Sequence, residues 1–121
     1  MITYKDIITA AQGIRNISKL NLKISEAVKL AKLIKKLDEE AELYYELRQK
    51  LCKQYGEYEA EKDRYYIPDE NREEMNSKLR ELDNTEVSIE KLKLSVDGET
   101  KLDTVTLISV ENIIEIIVDE E

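Results

Sequence analysis

At 100° per residue, Leu30, Ile34, Leu37, Ala41, Tyr44, Tyr45, Leu51, Cys52 and Tyr55 fall on one face of a single helix. This run constrains the fold more than any other feature of the chain. Ser25 stands at its head as an N-cap, Glu26 suits the positive end of its dipole, and Gly56 stops it. The helix is expected over about 26–55, at 1.5 Å per residue roughly 45 Å long. Such a rod outruns a small globule, so it should pair with another helix, in this chain or in a second copy.

The rest of the chain supplies that helix and a base. Thr3 and Asp6 form a short capping box for a helix over about 4–19, in which Ile7, Ile8, Ala11, Ile14 and Ile17 recur at helical spacing. Gly13 weakens it from within. Residues 56–68 form a polar tip with a Tyr-rich return, Arg64-Tyr65-Tyr66-Ile67, that suits a β-hairpin or an ordered loop equally. Pro68 and Asp69 announce a helix over about 70–83, striped by Met75, Leu79 and Leu82. The period then changes to two. Val87, Ile89, Leu92, Leu94 and Val96 alternate, Asp97-Gly98 is a turn signal, and Val105 and Leu107 suit a returning strand, so strands are expected within about 86–108. Ser109 would cap a final element over about 110–118. Its β-branched residues leave helix and strand both open. The expected class is mainly α (α+β): one domain, a long antiparallel helical hairpin with an N-terminal helix and a small C-terminal β/α segment.

Composition excludes much chemistry. The 121 residues contain no histidine and a single cysteine, Cys52. Ser-His-Asp triads, Cys-His pairs, histidine metal sites, internal disulfides and cysteine-ligated zinc are therefore impossible. Cys52 lies on the apolar stripe and reads as a small core residue. Neither a run of about 18 apolar residues nor a leader-like start is present, so no membrane span and a host-cytoplasmic setting are expected.

Carboxylate pairs are the one enzymatic signal left. Glu39-x-x-Glu42 and Glu70-x-x-Glu73 each set two acids one turn apart. The all-α nucleotide pyrophosphohydrolases hold Mg²⁺ with motifs of this form. Here Glu39 and Glu42 point away from the apolar stripe, and Glu70 and Glu73 serve as first-turn acids. No catalytic residue, metal or cofactor is expected.

Charge is split along the chain. Residues 1–36 carry a net +6 and residues 37–121 a net −14, within a total of −8. Lys29, Lys32 and Lys36 share one face of the long helix. That face would meet an anionic partner, unless Lys35–Glu39 and Lys36–Glu40 pair at i,i+4 as an ordinary solvated surface. Arg48 falls within the apolar stripe, where a charge needs a partner such as Glu81 or Asp83. Left unpaired, it would mark an open groove that receives a partner. Six of the seven tyrosines lie between Tyr44 and Tyr66. Tyr58, Tyr65 and Tyr66 flank the tip, either as a contact surface or as a small satellite core. Base stacking there is opposed by Glu57, Glu59, Glu61 and Asp63.

The run Ile24-Ser25-Glu26-Ala27-Val28-Lys29-Leu30-Ala31-Lys32-Leu33-Ile34-Lys35-Lys36-Leu37 resembles a family of small helical proteins encoded by phages and prophages of Gram-positive bacteria. Gln54-Tyr55-Gly56 and Leu82-Asp83-Asn84-Thr85-Glu86-Val87 share that resemblance, as does the order of parts, which ends in an acidic tail. The resemblance implies a phage-related origin and brings no catalytic residues with it.

These features predict a non-enzymatic, phage-type protein–protein interaction module. It would bind a host or phage protein through Lys29, Lys32, Lys36, Arg48, Tyr58, Tyr65 and Tyr66, and inhibit a host defence system by surface binding. A virion structural or assembly protein working as a homo-oligomer is the alternative. A nucleic-acid-binding protein is a third reading, opposed by the net charge of −8.

Overall fold

The computed structural model describes residues 1–119; the acidic end Glu120-Glu121 lies outside the described residues. In chain order the elements are β1 (Ile2–Thr3), α1 (Tyr4–Ser18), α2 (Ile24–Tyr55), β2 (Glu57–Glu59), β3 (Arg64–Tyr66), α3 (Asp69–Asp83), β4 (Glu86–Val87), β5 (Leu92–Asp97), α4 (Thr104–Val110) and β6 (Ile114–Asp119). The architecture is mainly α with some β: a long helix, an N-terminal helix and small C-terminal strands. Among the described residues no helix is long and apolar enough to cross a membrane.

The Thr3–Asp6 capping box is complete: Asp6 N–H donates to Thr3 Oγ1 at 3.3 Å and Thr3 N–H to Asp6 Oδ2 at 2.9 Å. The long helix begins differently from expectation. Lys23, not Ser25, occupies its cap, with no side-chain cap bond. The extended Lys23 carbonyl already accepts Ala27 N–H at 2.9 Å. Ser25 is therefore inside the first turn, two residues too late to cap it.

Strands form three separate two-stranded sheets. β1 and β4 pair antiparallel, Ile2 opposite Val87. β2 and β3 make the tip a hairpin. β5 and β6 pair parallel, which requires a crossover, and α4 provides it. Here two expectations are corrected. Val105 and Leu107 belong to α4, not to a returning strand. Asp103 caps that helix by accepting Thr106 N–H at 2.6 Å, while Thr106 and Val110 turn inward four residues apart. Val105 and Leu107 alternate only because both face solvent. Asp97-Gly98 consequently leads into a crossover, not a hairpin. Of the segment over 110–118, Val110 ends α4 and the chain from Ile114 onward forms strand β6, as its Ile-rich β-branched composition allows. Ser109 caps nothing; it sits in α4 and donates to the Thr106 carbonyl at 2.8 Å.

The core lies at the base, where Ile17, Leu94, Val110 and Ile113 are fully buried between α1, α4 and the parallel strands. Gly13 explains itself there. A Cβ on it would collide with Ser109 Oγ and lie 2.8 Å from Val110 Cγ1, so glycine lets α1 and α4 cross closely. Beyond the base, the far half of α2 packs on α3. Tyr44 Oη donates to Asp83 at 2.6 Å and Tyr55 Oη to Glu74 at 3.2 Å, and Asn71 Nδ2 donates to the Tyr55 carbonyl at 2.9 Å.

Candidate functional site

The first half of α2 turns its apolar stripe, Leu30, Leu33 and Leu37, toward the core. At spacings of three and four, Lys29, Lys32 and Lys36 then emerge together on its flank. Residues 88–92, which link β4 to β5, form the opposite wall. Ile89 N–H donates to the Val87 carbonyl and Leu92 N–H to the Ile113 carbonyl, both at 2.9 Å, so the wall is anchored at each end. The result is an open groove of about 530 Å³, with buried Leu33 and half-buried Ile89 and Leu92 among its lining. Four lysines line it, Lys29, Lys32, Lys36 and Lys91, against one acid, Glu90.

Lys29 is committed: its ammonium meets Glu26 at 3.1 Å. Glu26 is itself buried, and its other oxygen accepts the backbone N–H of Ser95 on β5 at 2.9 Å. The Ser95 N–H first, and then Lys29, hold the Glu26 carboxyl below its ordinary range. Among the described residues Lys32, Lys36 and Lys91 make no ion pair. Neither Lys35–Glu39 nor Lys36–Glu40 is formed, and Glu40 instead accepts the Tyr4 hydroxyl at 2.8 Å. The lysine face is therefore not neutralised along its own helix. Lys91 was not foreseen, because only long-range packing brings it opposite α2.

The tip is the second surface. Tyr58 sits opposite Tyr65 in the β2–β3 register, their ring centres 5.4 Å apart. Tyr58, Tyr65 and Tyr66 are all exposed, so they do not form a buried satellite core. Their neighbours hold them in place: Tyr58 Oη donates to Asp63, and Tyr66 Oη donates to Glu57 at 2.6 Å. These bonds to carboxylates are the main reason both phenols are pushed above the usual tyrosine value. Asp63 adopts a left-handed φ of 46° to close the turn.

Arg48 is exposed and does not interrupt the stripe. The stripe steps past it through Tyr44, Leu47, Leu51 and Tyr55, and Tyr45, expected on it, is exposed as well. Among the described residues no ion pair joins Arg48 to Glu81 or Asp83. It lies beside the Tyr44 hydroxyl instead. The structure brings the lysines together at one end of α2 and the tip tyrosines together at the other, with Arg48 in neither group.

Glu39, Glu42, Glu70 and Glu73 are exposed. Among the described residues no group of three or more acidic or thiol side chains converges in a way that could hold a metal ion. Cys52 is half-buried and unpaired. No protein family matches the chain, and no curated protein or solved structure matches it significantly.

Proposed function

We propose that the chain is a non-enzymatic protein-interaction module that docks an acidic segment of a host or phage protein in the lysine groove. One observation carries this reading: Lys32, Lys36 and Lys91 surround a partly apolar groove and make no ion pair among the described residues, on a chain of net charge −8. A long polyanion such as nucleic acid would leave the groove and meet the acidic remainder of the surface. A short acidic protein segment meets four lysines against the single acid Glu90, and its apolar residues meet Leu33, Ile89 and Leu92. The resemblance to phage and prophage proteins supports the setting. Inhibition of a host defence system, by covering a surface that system needs, is the form the activity takes there.

The test is affinity capture from a Gram-positive bacterial lysate with three baits: the wild type, Lys32→Glu/Lys36→Glu, and Tyr58→Ala/Tyr65→Ala. A partner held by the wild type and the tip variant, and released by the lysine variant or by salt, supports the reading. Capture indifferent to the lysines, or a shift of duplex DNA at low salt that depends on them, overturns it. A second reading is a virion structural or assembly protein that works as a homo-oligomer. It is supported by charges of opposite sign spaced alike along α2.

A further inference from the structure

Lys29, Lys32 and Lys36 are not the only charges on α2 spaced by three and then four residues. Glu39, Glu42 and Glu46 repeat that spacing ten residues later, and all three are exposed and make no ion pair among the described residues. Ten residues at 100° each place the acidic row about 80° around the helix from the basic one. Measured from buried Leu30, Leu33, Leu37 and Tyr44, the basic row lies about 100° around, on the flank, and the acidic row about 180° around, on the outer side, so the face between them is free of the core.

We infer that α2 pairs antiparallel with α2 of a second copy, about a two-fold axis near Leu37 and Asp38. The inference rests on the proposed docking role of the lysine groove and names one acidic partner for it. In that arrangement Lys29 meets Glu46 of the second copy, Lys32 meets its Glu42, and Lys36 meets its Glu39. The paired numbers sum to 75, 74 and 75, so a single register satisfies all three to within one residue, about 1.5 Å of rise. Two-fold symmetry repeats the set.

Direction follows from the same charges. A parallel, in-register pair sets lysine on lysine and glutamate on glutamate, which is repulsive. An antiparallel pair sets every one of these six charges against its opposite. Leu43, exposed between the two rows, is covered in the same contact. Lys29 keeps Glu26 beneath it, because an ammonium has three donors. An interface built from exposed ion pairs is weak and salt-sensitive.

Sedimentation velocity at about 100 μM protein tests the pairing, in about 50 mM and about 500 mM salt. A dimer is expected at low salt and a monomer at high salt. Lys32→Glu/Lys36→Glu and Glu39→Lys/Glu42→Lys should each weaken the dimer by at least about tenfold, since each disrupts four pairs. The variant carrying all four reversals should dimerise again, because its charges are exchanged and still opposite. Circular dichroism confirms that each variant keeps its helix. A wild type that stays monomeric at low salt, a dimer that survives either double reversal, or a fourfold variant that stays monomeric overturns the inference. Groove-dependent capture of another protein by a monomer would leave the proposed function standing while this pairing falls.

Discussion

Ser95 donates its backbone N–H to the carboxylate of Glu26 at 2.9 Å, across 69 residues of sequence. In a parallel ladder alternate residues of β5 bond to β6, and the others turn their backbone groups to the far edge. Ser95 is one of the latter. Glu26 closes that edge with a side chain where a third strand would otherwise stand.

This arrangement makes the fold sensitive to acid. Glu26 is held low by Ser95 N–H and then Lys29, and Asp103 is held low by Thr106 N–H at the start of α4. Because both folded values lie below the unfolded ones, the unfolded chain takes up protons first as pH falls. The stabilisation is complete above the ordinary carboxylate values and is lost as pH drops through the folded ones. Thermal unfolding between neutral pH and about pH 3 should show a falling midpoint. Glu26→Gln should flatten part of that slope. Glu26→Ala should unfold at a lower temperature than Glu26→Gln at neutral pH, because it leaves the Ser95 N–H without an acceptor.

Gly13→Ala should destabilise the protein, although alanine is the better helix former by about 0.5–1 kcal/mol. The new methyl would meet Ser109 Oγ and Val110 Cγ1 at the α1–α4 crossing. Overpacking of this kind costs about 1–3 kcal/mol, measurable by urea unfolding. Adding Ser109→Gly should recover part of the loss. A Gly13→Ala variant more stable than the wild type would show that α4 is not held against α1.

Two tyrosine hydroxyls, one at the α2–α3 contact and one on the tip hairpin, should differ in worth. Tyr44 is buried, and burial first, then its bond to Asp83, raises its pKa. Tyr44→Phe should cost about 1.5–3 kcal/mol, as for other hydrogen bonds to charged groups. Tyr66 is exposed, and Tyr66→Phe should change stability by less than about 0.5 kcal/mol. Parallel chemical denaturation of the two variants checks the ordering.

Local signals were legible in the sequence where they acted alone. The Thr3–Asp6 box, the helical period of α2 and the Pro68-Asp69 start of α3 each act within a few residues, and helices α1, α2 and α3 form there, although Lys23 and not Ser25 caps α2 and Tyr45 lies off its stripe. Signals that depend on distant partners were misread. Nothing near Glu26 announces that β5 will bury it. The Asp103 cap was overlooked because Val105 and Leu107 mimic a strand, although a helix with those residues outward has the same local pattern. The candidate site divides in the same way. Lys29, Lys32 and Lys36 share a face because helical periodicity requires it, while Lys91 joins them only through the anchored wall over 88–92. Arg48 was misplaced by one step of the stripe, since a choice between i+3 and i+4 is made by the partner helix.

Helix α2 is unbroken from Ile24 to Tyr55, with neither glycine nor proline inside it. It consequently behaves as a ruler. Lys32 and Tyr55 are held roughly 35 Å apart along its axis, with no hinge between them. A ligand that touches both the lysine groove and the tyrosine hairpin must carry two patches at that separation, and a smaller one can occupy only one end.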